Sequence, residues 1–329
     1  MKPNVIRALV AGALLASSSL PGRATGVSGP AAGFVLDGRS HTIRPINGIP
    51  GASVLGGPLS VPFSIDKAAI VRDFALVTRS GDGALFLVRG LRDAVPTVVP
   101  LDGVIPGVSL FSLSPSGAAA VLYSASPAQI QVVSGLPDKP AVATAVDVSL
   151  LPGGITAMAL DDSGSRLVAG VHDGGDYAVY GLFPSNGDSS PKLLGRAHDL
   201  SAVALLNGGA DAVYADRFTN QVFLVHDVAG SADLSILAGE QDGISAPVAL
   251  QGTNSAVYIA DAGSSSLTVV DMVNRGAPAS ITLPGNPTRC ERLDGDSVFV
   301  LNEAGSGPLL LLDLTQGSNI FFVPADQAF

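Results

Sequence analysis

Apolar residues in this chain come in short runs, broken by Gly, Ser, Asp and Asn, and the runs pair up. The recurring segment is an apolar strand, a small polar turn and a second apolar strand. Its copies are Phe34–Ile46, Phe74–Val88, Ala119–Val133, Arg166–Tyr180, Asp211–Val225, Ala256–Val270 and Ser297–Leu311. Their starts are roughly 45 residues apart, the spacing of β-propeller blades. The stretches between copies predict two further strands each, as in Ala141–Val148 followed by Ile155–Leu160. Turns such as Ser114-Pro115-Ser116-Gly117 and Asp161-Asp162-Ser163-Gly164 then join a first strand to a second. Asp or Ser with Gly at such a place marks a tight hairpin.

One unit is therefore four antiparallel strands, A to D from the inside out. A lone unit cannot bury both faces, and a ring of units can. The expected fold is all-β, a β-propeller of four-stranded antiparallel blades. Residues 61–324 supply six full units. Residues 33–57 supply B, C and a weak D without a clear A, so seven blades are favoured over six plus an N-terminal hairpin. Residues 25–32 or 326–329 are the stretches that could supply the missing inner strand.

Composition removes several classes. The chain has 329 residues, of which 47% are hydrophobic, so it is long and apolar enough for a sizeable core rather than a disordered chain. The 39 Gly and 23 Pro follow no G-X-Y period, which excludes collagen. A net charge of −10 without a basic cluster argues against nucleic acid and anionic lipid as partners. Beyond the leader, no stretch approaches the roughly 18 uninterrupted apolar residues of a membrane span.

The first residues read as a secretory leader. Lys2 and Arg7 precede an apolar small-residue stretch, Ala8 to Leu20, and Ala24 and Gly26 offer a small-residue cleavage pair. The expected division is residues 1–26 as signal peptide and residues 27–329 as a single β-propeller domain, secreted or periplasmic, with no transmembrane anchor after cleavage. Loss of Lys2, Arg7 and Arg23 would take the charge from −10 to −13. Cys290 is the one cysteine, so no internal disulfide forms, and its apolar run predicts a buried structural thiol.

Val257-Tyr258-Ile259-Ala260-Asp261 with Leu267–Asp271, and Val213–Asp216 with Val222–Val225, resemble the YVTN and NHL type of propeller repeat. Ser114–Gly117 is similar to that family's inner turn. The resemblance covers most of residues 61–315 and implies a propeller, without implying an activity. With no Trp, the WD dipeptide, the sialidase Asp-box tryptophan and the quinoprotein docking motif are all excluded.

Candidate chemistry lies just after strand B, where successive blades place Asp37, Arg79, Ala125, His172, Asp216, Asp261 and Asn302 on one rim. Convergence of Asp37, Arg79, His172, Asp216, Asp261 and Asn302 would bind a small polar ligand. The plainer reading is that Asp and Asn at strand ends cap their own turns. No H-x-x-x-H or H-E-x-x-H spacing occurs, and no cofactor is expected. The alternative is a single divalent metal such as calcium, with Asp216, Asp261 and Glu303 as the candidate ligands. The function expected is a non-enzymatic binding or protein-interaction module, a monomer meeting an unknown protein or a small polar ligand. One alternative is a metal-dependent lactonase-like hydrolase with a carboxylate site on the rim. A second is a structural surface protein.

Overall fold

The computed structural model describes residues 30–184, 190–274, 276–305 and 307–325. They form seven antiparallel sheets in chain order, each a blade. Blade 1 holds β1 (Ala31–Asp37), β2 (Thr42–Ile49) and β3 (Ala52–Leu55), and blade 2 holds β4 (Ile65–Val71), β5 (Phe74–Arg79), β6 (Leu85–Arg89) and β7 (Thr97–Pro100). Blade 3 follows with β8 (Val108–Leu113), β9 (Ala119–Ala125), β10 (Ala128–Ser134) and β11 (Ala141–Asp147). Blade 4 has β12 (Ile155–Leu160), β13 (Leu167–Asp173), β14 (Asp176–Leu182) and β15 (Lys192–Ala197). Blade 5 has β16 (Leu200–Leu206), β17 (Asp211–Asp216), β18 (Gln221–His226) and β19 (Asp233–Ala238). Blade 6 has β20 (Pro247–Gly252), β21 (Ala256–Asp261), β22 (Ser266–Asp271) and β23 (Ala279–Thr282). Blade 7 closes the series with β24 (Glu291–Asp294), β25 (Val298–Val300), β26 (Leu309–Asp313) and β27 (Asn319–Val323).

The hydrophobic pattern follows from this layering. A second strand has a blade on each side, so both of its faces are apolar: every residue of β17 and of β21 is buried. Successive side chains point to opposite neighbours. Ala256, Tyr258 and Ala260 pack with Phe299 and Leu312 of blade 7, while Val257 and Ile259 pack with Val213 and Ala215 of blade 5. Seven apolar clusters result, one at each blade-to-blade interface.

Those clusters also show how the ring closes. Val35 and Ile46 of blade 1 pack against Val298, Val300 and Leu311 of blade 7. Phe34 and Ile43 pack on the other side against Ile65, Ala75 and Val77 of blade 2. No sheet combines strands from the two ends of the described chain, so side-chain packing carries this seam. A buried Val, Leu, Ile or Phe contributes about 1.5–3 kcal/mol, enough in such numbers to hold it. One short link adds to the packing, a bridge between Asp37 and Ala304.

The fold is a seven-bladed β-propeller, with four strands in each of blades 2 to 7 and three in blade 1 among the described residues. The N-terminal hairpin alternative falls, because β3 adds a third strand and the sheet is packed on both sides. Of the two stretches expected to supply a seventh inner strand, residues 25–29 and 326–329 lie outside the described residues, and Ala31 and Ala32 belong to β1. β1 has the buried character of a second strand, and the inner strands β24 and β4 approach each other directly past it. Gly33 makes room for this: a Cβ there would lie 2.9 Å from Leu293 Cβ. Among the described residues the channel wall is six inner strands: β4, β8, β12, β16, β20 and β24.

Candidate functional site

The predicted rim lies where second strands end, and each of its residues is engaged within its own corner. Asp37 Oδ1 accepts the Arg39 amide at 2.9 Å, and Oδ2 pairs with Arg44 Nη1 at 3.2 Å. Burial opposes the charge on Asp37, but the Arg39 amide, Ser40 and Arg44 outweigh it and hold the carboxyl below its ordinary value. Arg79 pairs with Asp82, its guanidinium 5.1 Å from the Phe86 ring centre. The Asp82 carboxyl is held at about 2 by that guanidinium and by the Ala84 amide. His172 meets Tyr177 edge-on at 5.0 Å. Asn302 accepts the Leu310 amide at 2.7 Å and donates to Pro308 O at 2.9 Å.

Asp216 and Asp261 occupy the same place in blades 5 and 6. Asp216 accepts three amides, from His198, Asp199 and Phe218, each at 3.0 Å. Burial alone would raise its pKa, and the three amides bring it below the ordinary value. Asp261 is fully buried and accepts the Thr268 hydroxyl at 2.9 Å. Burial prevails there, over Thr268 and the Ser245 backbone, and pushes the carboxyl up to about 6.

The proposed metal ligands do not assemble. Glu303 is turned to Arg289 at 3.1 Å, Asp216 to its amides and Asp261 to Thr268. Among the described residues no group of three His, Cys, Asp or Glu side chains is gathered as a metal site. Asp37, Asp216 and Asn302 thus hold backbone amides of their own corners.

Two contiguous cavities lie at the opposite end, where the A–B turns surround the channel. The throat is a cavity of about 360 Å³ between inner strands, walled by half-buried Phe111, Leu113 and Val203 with Leu205, Gln251 and the buried Cys290. Burial pushes the Cys290 thiol up to about 12, so it is a packed, protonated side chain. The throat adjoins a mouth of about 270 Å³ lined by Arg72, Ser116, Asp161, Asp162, Asn207, Asn254, Arg292 and Asp296. The two cavities share Val71, Pro115, Leu205, Gly252 and Arg292.

Hydrogen bonds between blades knit this mouth. Asp162 Oδ1 accepts the Ser116 amide at 2.7 Å and its hydroxyl at 2.6 Å, tying blade 4 to blade 3. Burial disfavours the Asp162 charge, but Ser116, Ser114 and the charge of Arg292 outweigh it and keep the carboxyl low. Arg166 donates to Gly208 O at 3.2 Å, tying blade 4 to blade 5. Arg292 donates to Gly252 O of blade 6 and lies 2.7 Å from Asp296. Buried Asp161 takes the Arg166 amide at 2.8 Å and the Ser163 and Ser165 hydroxyls. Arg72 differs from all of these. It sits at φ 53° in the tight turn between β4 and β5, exposed, and among the described residues it makes no hydrogen bond or ion pair.

The sequence offered a signal for this mouth. Each A–B turn of blades 2 to 7 carries a polar residue at its tip, and all such tips share one face. The strand-B ends lie on the other rim.

No protein-family model matches the chain, and no curated protein matches its sequence. Solved structures do match in fold. A functionally unknown protein from Desulfotomaculum acetoxidans superposes with a TM-score of 0.60 at 12% identity, over 89% of this chain and 99% of that one. Hydrazine synthase of Kuenenia stuttgartiensis gives 0.56 at 14% identity, over 92% and 99%. A chain of the nidogen/laminin complex gives 0.50 at 13% identity, over 76% and 92%. At such identities the likeness is one of fold, and a fold does not fix a function. The class of protein defined is a seven-bladed β-propeller, an architecture consistent with a binding or interaction module. Among the described residues no helix is long and apolar enough to cross a membrane.

Proposed function

We propose that this propeller, of YVTN/NHL-like type, is a non-enzymatic binding module that takes a small ligand into its central channel through the A–B mouth. The observation that carries the reading is the pair of contiguous cavities, a throat walled by Phe111, Leu113, Val203 and Leu205 together with Gln251, opening on a mouth that gathers charged side chains. An apolar pocket with a few converging polar groups is the usual anatomy of a small-molecule site. The rim acids at the other end are spent on their own turns, which supports binding in the channel over lactone hydrolysis at the rim. The charged and then apolar segment from Lys2 to Leu20 supports action outside the cytoplasm.

The test is a melting screen of polar and amphipathic metabolites against the wild-type chain and Gln251→Trp, whose indole fills the throat. A ligand at 100 times its Kd adds about 2.7 kcal/mol of stability. Stabilisation of wild type that Gln251→Trp loses supports the channel. Ligands that stabilise both proteins equally would move the site elsewhere.

A further inference from the structure

Within the channel reading, and resting on it, we propose that the mouth binds a free α-amino acid with an apolar side chain. Its carboxylate lies on Arg72, its ammonium on Asp162 and its side chain in the throat.

The argument begins with which charges are already used. Arg292 is divided between Gly252 O and Asp296, and Asp161 is buried and already accepts two hydroxyls and an amide. Arg72 is the lining cation without a partner among the described residues. A guanidinium presents five N–H donors in a planar fork that matches a carboxylate. Asp162 is exposed at the mouth and accepts the Ser116 amide and hydroxyl on one oxygen, with Ser114 as a further partner. A carboxylate has about four acceptor sites, so capacity for an ammonium remains. Its bond to Ser116 draws it from blade 4 toward blade 3, the side on which blade 2 carries Arg72.

The mixture of signs then selects the ligand. A lone anion would meet Arg72 but also the carboxylates of Asp162 and Asp296. A lone cation would meet those carboxylates and leave Arg72 facing its charge. A zwitterion places each charge against its opposite. Below the mouth the walls include Phe111, Leu113, Val203 and Leu205, which suit an apolar substituent, beside Ser112 and Gln251.

The test uses calorimetric titration of the full chain with L-phenylalanine, L-phenylalaninamide, which lacks the carboxylate, and N-acetyl-L-phenylalanine, which lacks the ammonium. L-phenylalanine is expected to bind at least about tenfold more tightly than either, the worth of one charge-assisted hydrogen bond. Arg72→Gln is expected to erase the preference over the amide, and Asp162→Asn the preference over the N-acetyl form. Among the described residues Arg72 makes no hydrogen bond or ion pair, so its variant reads binding and not folding. Equal affinity for all three compounds, or an Arg72→Gln variant that still discriminates, overturns the proposal. If other ligands from the screen are lost in Gln251→Trp while L-phenylalanine fails, the amino-acid assignment falls and the channel reading stands. If nothing binds in a throat-dependent way, both fall.

Discussion

Asp216 and Asp261 end the same strand in neighbouring blades and titrate in opposite directions. Three amides at 3.0 Å hold Asp216 ionised, whereas burial with one hydroxyl at 2.9 Å lifts Asp261 to about 6. Repetition of the backbone fixes where the carboxylate sits. The following loop decides what it meets.

Asp261→Asn is therefore expected to stabilise the protein at pH 7. The folded carboxyl titrates near 6 against an ordinary 3.8, so between these values the folded state keeps a proton that the unfolded chain has lost. Stability from this group falls as pH rises through that window and stays low above it. The penalty removed is at most about 3 kcal/mol. Thermal melts from pH 4 to 7 should show a higher Tm at neutral pH and a flatter slope. A lower Tm at pH 7 would contradict this.

Asp216→Asn should do the reverse. Its carboxyl is held low, so its stabilisation is present above the ordinary value and is lost as pH falls through the folded one. Replacing a buried carboxylate that accepts three amides should cost about 1–3 kcal/mol at pH 7. Urea denaturation of the two variants side by side gives opposite signs, or the assignment is wrong.

Gly33→Val tests the seam between blades 1 and 7. The new Cβ would lie 2.9 Å from Leu293 Cβ and 3.3 Å from Leu293 O, so β1 and β24 must separate. Overpacking of this kind costs about 1–3 kcal/mol. A lowered urea midpoint is expected, and an unchanged one would mean that β1 does not lie against β24.

Arg44→Met should be more damaging than its size suggests. Arg44 and Asp37 are both buried and 3.2 Å apart, and Arg44 Nε also donates to Gly56 O at 2.7 Å. Removing the cation leaves a buried carboxylate held only by its turn, at a cost of about 3 kcal/mol. Denaturation at pH 7 measures it, and a loss well under 1 kcal/mol would rule the pair out as a support of blade 1.

Cys290 should resist thiol reagents in the native state, since it is buried and protonated, with a pKa near 12. Labelling with a maleimide should follow unfolding by urea. Prompt labelling of native protein would contradict the packed position between blades 6 and 7.

Much of the fold was legible in the sequence because a propeller repeats. Seven copies of one hairpin, from Phe34–Ile46 to Ser297–Leu311, gave blade number and strand order, and Asp161–Gly164 gave an A–B turn. Ring closure was less legible, since it depends on Gly33 against Leu293, a contact between residues at opposite ends of the described chain. The site was the least legible. Asp216 and Asp261 look alike in sequence, and Arg72 looks like any surface arginine until the partners around it are known.

The most direct test of the amino-acid site proposed at the mouth is a crystal structure of the protein soaked with L-phenylalanine. The prediction is ligand at the A–B mouth, between Arg72 and Asp162, with its ring toward Phe111 and Val203. Ligand on the B–C rim beside Asp216 and Asp261, or a soaked crystal with an empty channel, would contradict it.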